Sequence, residues 1–177
     1  MSGFVRRKIM EFRLATVQDL TKIKSMYGKI IETMNNNQIP IWDDIYPCEF
    51  FEDDIKNERL YILEDNGEIV SAFALCNFHS GENAVKWNGS WEDALYLDRL
   101  GVNVKYSRRG IGTLMLINAR KAAKERGASC LRLFVVDINK PAINLYEKNG
   151  FIKANGIYNE IIDDEYVLHE LGYECMI

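Results

Sequence analysis

The sequence predicts one α/β domain built on a mixed sheet with helices on both faces. Three observations carry that prediction. Apolar residues switch repeatedly between the two-residue step of strands and the 3.6-residue step of helices, in the order β, α, α, β, β, β, α, β, α, β, β. The run Cys130 to Val136 is almost continuously apolar, as a strand covered on both faces would be. A chain of 177 residues, 47% hydrophobic and 27% charged, suits a single compact unit of the usual size. Residues 10–177 are expected to form this domain, and residues 1–9, with Arg6, Arg7 and Lys8, a flexible extension.

Phe12 to Ala15 reads as a short strand. Thr16 then caps a helix, with Asp19 three residues on, and Leu20, Ile23, Met26, Tyr27, Ile30, Ile31 and Met34 recur at helical spacing up to the Asn35 to Asn37 run. A second, acidic helix is expected over Cys48 to Asn57. Leu60 to Glu64 and Glu68 to Cys76 flank Asp65-Asn66-Gly67, a hairpin signal, because Asn-Gly tolerates the positive φ of a tight turn. Asn77 to Asp93 is long for a connection and carries Phe78, His79, Trp87 and Trp91, which marks it as a functional loop. A strand over Ala94 to Val104 leads through a glycine-containing turn, Ser107 to Gly112, into a helix over Thr113 to Arg126 that Gly127 stops. After the buried strand, Asn139 caps a short helix with Pro141 in its first turn and Gly150 at its end. Strands over Ile157 to Ile162 and Glu165 to Leu171, joined at Asp163-Asp164, complete the domain.

Composition excludes several classes of function. No run approaches the roughly 18 apolar residues of a membrane span, and the basic residues at 6–8 precede no apolar core of a secretion signal. Cys48, Cys76, Cys130 and Cys175 are far apart, with only His79 and His169 as imidazole ligands, so neither a metal site nor a disulfide framework is expected and a reducing cytoplasm fits. A net charge of -4 argues against nucleic-acid binding and leaves a homodimer open. The charges are nevertheless sorted. Seven bases lie between Lys105 and Arg126 against Glu125 alone, whereas acids gather over 43–54 and 160–174.

The basic stretch surrounds Gly110 and Gly112, at the point where a strand ends and a helix begins. The first amides of a helix lack partners and the dipole there is positive, so an anion is favoured. Glycine would let a ligand approach the backbone, and Arg108 and Arg109 add donors. The alternative is an ordinary turn in which glycine relieves crowding. A Walker loop needs Gly-x-x-x-x-Gly-Lys-Ser/Thr, which does not occur, and a dinucleotide fingerprint needs a third glycine where Met115 stands.

Here the sequence resembles the GNAT superfamily of acyl-CoA-dependent N-acetyltransferases. Gly110 and Gly112 fall on the two small positions of its Arg/Gln-x-x-Gly-x-Gly/Ala signature, with Ser107 at the opening position beside Arg108 and Arg109. Asn139 to Phe151 is similar to its Asn-x-x-Ala-x-x-Leu-Tyr-x-x-x-Gly-Phe segment at every defined position. The resemblance runs from about Met10 to Leu171. It implies a mostly antiparallel central sheet in which one parallel strand pair splays apart, and acetyl-CoA as co-substrate in that cleft. By the same resemblance the amides of Arg109, Gly110, Ile111, Gly112 and Thr113, with Arg108, hold the pyrophosphate. Leu100 and Val102 pair with the pantetheine arm through their main chain, Asn139 contacts the arm, and Tyr146 protonates the departing thiolate.

Acetyl transfer to nitrogen needs a neutral amine, although an alkyl amine of pKa ~10 is protonated at pH 7. Asp98 is the leading candidate for the base, on the expectation that Tyr96, Asp98, Leu100 and Val102 share one strand face. Asp98 also reads as a partner for Arg99, and Glu92 and His79 are alternatives. Tyr146 also reads as a core aromatic one turn after Ala142. Trp87, Trp91 and Glu92 in the long loop are candidates to border the amine. The expected activity is transfer of acetyl to a primary amine of a small molecule or peptide by direct attack in a ternary complex. The competing reading is a module that binds or senses acyl-CoA without turnover.

Overall fold

The computed structural model describes residues 10–90 and 92–177. Its strands are β1 (Glu11–Leu14), β2 (Leu60–Asp65), β3 (Glu68–Cys76), β4 (Val85–Lys86), β5 (Leu95–Val102), β6 (Cys130–Val136), β7 (Ile152–Lys153), β8 (Asn155–Gly156), β9 (Tyr158–Ile161) and β10 (Val167–Met176). Its helices are α1 (Leu20–Asn36), α2 (Phe51–Lys56), α3 (Ile111–Glu125) and α4 (Lys140–Lys148). The main sheet runs β1-β2-β3-β5-β6-β10-β7, with β9 also on β10, and β4 pairs with β8 in a small second sheet. All pairings are antiparallel except β5 with β6. The predicted mixed sheet is present, and its two faces carry separate cores. Ile23, Tyr27 and Phe51 of α1 and α2 pack on one face, and Met115, Leu116 and Ile143 of α3 and α4 on the other.

Local chemistry accounts for the elements. The Thr16 amide and hydroxyl both donate to the Asp19 carboxylate, at 2.8 and 2.9 Å, which fixes the entry to α1. Asn66 and Gly67 have φ of 51° and 81°, so the tight turn between β2 and β3 forms as expected. The Asn139 side chain accepts from the Ala142 amide and caps α4. Three expectations are corrected. The second helix is a short 3-10 turn over Cys48–Phe50 followed by α2. The long loop carries β4, held through its partner β8. The last strand runs on to Met176, because its residues from Glu170 onward pair with β6.

The feature that shapes the site lies in β5. Ala74 pairs with Asp98 but Ala72 pairs with Gly101, so Phe73 alone faces both Arg99 and Leu100. This is a β-bulge, and Arg99 takes a φ of 56°. The extra residue reverses the alternation of side chains. Tyr96 packs on the α1/α2 face, whereas beyond the bulge Leu100 and Val102 pack on the α3/α4 face. The expectation that Tyr96, Asp98, Leu100 and Val102 share a face therefore fails at Arg99. The bulge is anchored from below: the Tyr27 hydroxyl donates to the Arg99 and Ala72 carbonyls. A methyl group at Gly101 would sit 2.8 Å from the rigid Tyr27 ring. Gly101→Ala is expected to cost about 1–3 kcal/mol through overpacking, measurable by urea unfolding.

Candidate active site

β5 and β6 pair only at Leu95 with Leu131 and Tyr96 with Arg132, and then diverge. The splay opens a cleft of about 900 Å³ that passes between the two faces of the sheet. On the α3/α4 side it is lined by Leu100, Val102, Asn139, Ala142 and Tyr146. On the other side it is lined by Trp42, Tyr46, His79, Asp98, Glu160 and Glu170. Beyond the pairing, the facing edges of β5 and β6 offer main-chain groups to a ligand.

The strand-to-helix turn begins where the lining ends, at Ser107. Gly110 caps α3 with φ of 75°, a left-handed conformation that glycine adopts without strain, and Arg108 has φ of 59°. Among the described residues, the amides of residues 109–113 donate to no protein acceptor. Gly112 has a different reason to be glycine: a Cβ there would lie 2.8 Å from the Leu145 side chain of α4. One glycine sets the turn and the other lets two helices approach. Arg108 and Arg109 are exposed, and the Arg109 guanidinium lies over the Tyr106 ring at 5.4 Å.

Tyr146 is buried, with its ring against Phe151 at a centroid distance of 5.7 Å. Burial, reinforced by the nearby Asp98 carboxylate, raises its phenol above the usual range, so it holds its proton at neutral pH. Asp98 lines the cleft, but both of its oxygens are engaged by Arg99, through the backbone amide at 2.8 Å and the guanidinium at 3.0 Å. Arg99 also reaches the fully buried Asp54 of α2 at 2.9 and 3.0 Å.

Trp87 and Glu92 do not line the cleft. Trp87 packs against Phe134 and Tyr96 and lies under the Arg132 guanidinium, 4.4 Å away. Arg132 in turn pairs with the buried Glu174, which also accepts from the amides of Asn88 and Gly89. The long loop is thereby pinned to the sheet. Glu92 is exposed to solvent, and Trp91 lies outside the described residues. His79 does reach the cleft, stacked on Phe134 at 4.2 Å. Two further lining carboxyls, Glu160 and Glu170, were legible only as members of an acidic run, because nothing in their local sequence distinguishes them from solvated surface acids.

Among the described residues no cluster of His, Cys, Asp and Glu is arranged to hold a metal ion, and no helix is long and apolar enough to cross a membrane. Residues 28–151 match the model of the acetyltransferase (GNAT) family. A relative from Bacillus subtilis (strain 168), named as a putative phosphinothricin acetyltransferase, YwnH, is 27% identical over 93% of this chain and 99% of its own. An N-alpha-acetyltransferase of Sulfurisphaera tokodaii is 31% identical over 68% of this chain and 73% of its own. The solved structure of yncA from Salmonella typhimurium with its cofactor acetyl-CoA has the same fold, at a TM-score of 0.67 and 15% identity over 94% of this chain and 93% of that one.

Proposed function

The chain belongs to the acetyltransferase (GNAT) family, and is thus an enzyme using acetyl-CoA; on that premise we propose that it transfers acetyl directly to a primary amine of a small molecule or peptide in a ternary complex. The observation that carries this reading is the splay of β5 from β6, which ends at an anion-ready turn on one side and at converging carboxyls on the other. In this reading the amides of residues 109–113, with Arg108 and Arg109, hold the pyrophosphate. Main-chain groups of Leu100 and Val102 pair with the pantetheine arm, and the Asn139 side-chain amide, whose oxygen caps α4, turns its NH2 toward the same arm. The amine attacks the thioester carbon from the α1/α2 side, and Tyr146 protonates the leaving sulfur. Asp98, tied to Arg99, supplies fixed negative charge beside the approaching ammonium.

The relatives' names point to different amines, phosphinothricin and an α-nitrogen, so the substrate is left to the geometry of the cleft. The reading is tested by calorimetric titration with acetyl-CoA, coupled to an assay of free thiol on adding amines. Saturable binding is expected. The double substitution Arg108→Ala with Arg109→Ala is expected to weaken it about tenfold, more at low salt than at high, because phosphate attraction is screened. Absence of saturable binding by the unsubstituted protein would overturn the reading.

A further inference from the structure

Glu170 has no counterpart in the acetyl-CoA half of the cleft and lies outside the region matched by the family model, which ends at residue 151. It sits on β10, paired with Val136 of β6 and with Tyr158 of β9, so its side chain projects from the sheet centre on the α1/α2 face. The side chain is 12% exposed, and its Oε2 is buried without a hydrogen-bond partner, the one such atom found among the described residues. A buried carboxyl oxygen without a partner is costly, and beside a second carboxyl in a cleft wall it points to a cationic ligand that completes the pair.

The groups facing Glu170 come from every neighbouring element, and none offers it a free positive charge. Glu160 of β9 is its diagonal neighbour across the hairpin, and the two carboxyls are close enough to share a proton. Asp98 of β5 adds negative charge, while Arg99 is occupied by Asp54 and Asp98. Tyr46 contributes a neutral phenol. His79 Nε2 lies 4.0 Å from Oε2, outside hydrogen-bond reach. Its Nδ1 accepts from the Gly81 amide, and burial lowers its affinity for a proton, so it is a neutral ring. Apart from Arg99, no lysine or arginine lines the cleft among the described residues, while Trp42, Tyr46 and Tyr166 line the same side.

We propose that Glu160 and Glu170 receive the ammonium group of the substrate, that Glu170 takes its proton, and that the substrate is a cationic amine with no anionic group beside the reacting nitrogen. This rests on the acetyltransferase reading above. One proton passes from R-NH3+ to the Glu170 carboxylate and on to solvent. The freed lone pair forms the C–N bond at the thioester carbonyl, the C–S bond breaks with its electron pair on sulfur, and the sulfur takes a proton from Tyr146. Tyr146 recovers a proton from the newly acylated nitrogen. A carboxylate or phosphinate next to the amine would face Asp98, Glu160 and Glu170 and no free cation. Aromatic faces favour the cation.

Burial, together with Glu160 and Asp98, pushes the Glu170 carboxyl up to about 8 from an ordinary 4.5. Two pH dependences follow. In the amine-free enzyme the base forms only as pH rises toward 8, so kcat/KM should climb to that point. The folded protein also holds a proton that the unfolded chain has released above pH 4.5, so the stabilisation is full below 4.5 and is lost as pH rises through 8.

The test compares the wild type with Glu170→Gln and Glu160→Gln on two sets of amines, 1,5-diaminopentane and spermidine against L-glutamate and L-aspartate. The cationic set is expected to exceed the anionic set in kcat/KM by about 100-fold. Glu170→Gln is expected to lower kcat about 100-fold, abolish the rise toward pH 8, leave acetyl-CoA binding unchanged, and melt higher than wild type at pH 9 but not at pH 4. Glu160→Gln is expected to raise KM for diamine about tenfold. A preference for the anionic set or a Glu170→Gln profile parallel to wild type would overturn this assignment alone, whereas saturable acetyl-CoA binding with no turnover of either set would overturn the transfer reading together with it. Failure to bind acetyl-CoA would instead overturn the reading on which it rests.

Discussion

Replacing Tyr146 with Phe is expected to lower kcat by roughly 100-fold or more while leaving the affinity for acetyl-CoA nearly unchanged. The substitution keeps the ring that packs against Phe151 and removes only the hydroxyl, so the packing of α4 is preserved. The hydroxyl has no hydrogen-bond partner in the protein among the described residues, and it lines the cleft on the side where the sulfur would lie. A phenol made more basic by burial would be a poor donor in water. The same low-dielectric surroundings raise the basicity of the thiolate it serves, which keeps the two matched. Stopped-flow measurement of thiol release between pH 6 and 10 checks the prediction. Turnover within twofold of wild type across that range would remove Tyr146 from the chemistry and leave it a core aromatic.

The second large effect is on stability. Asp54 is 0% exposed and accepts from Arg59 at 2.7 Å and from Arg99 at 2.9 and 3.0 Å. Replacing it with Ala removes the buried counter-charge of Arg99, which is itself only 8% exposed, and leaves it with Asp98 alone. Breaking a buried pair from one side costs about 3–5 kcal/mol, which lowers Tm by roughly 6–20 °C in a chain of this size. Glu52→Ala, an exposed change on the same helix, is expected to stay within about 0.5 kcal/mol. Because Arg99 sits on the bulge, Asp54→Ala should weaken acetyl-CoA binding as well. Calorimetry below the lowered Tm separates that loss from unfolding.

Much of the frame was legible because it depends on local rules. Thr16 with Asp19, Asn66-Gly67 and Asn139 with Pro141 each determine a cap or turn through their own backbone chemistry, and each appears where expected. The Gly110 turn was legible for the same reason, although Gly112 serves the contact with Leu145 rather than the turn itself. What could not be read depends on partners distant in sequence. The bulge at Arg99 arises from pairing with β3 and from Tyr27, 72 residues away. Asp54 of α2 and Glu174 of β10 sit in acidic runs, yet each is buried against an arginine from a different element, Arg99 of β5 and Arg132 of β6. Trp87 looked like a ligand-facing aromatic because its loop is long, but Arg132 and Phe134 enclose it.

The reversal of side-chain alternation in β5 has a consequence for how such a protein can change. In the proposed reading the wall toward acetyl-CoA is built from Leu100, Val102 and the helices that follow, and the wall toward the amine from the segment around Tyr46 and the final hairpin. One strand of backbone, β5, thus lends its residues to two walls on opposite faces of the sheet. On that reading, residues 39–50 and 158–170 can be rewritten for a different amine without touching the residues assigned to the donor.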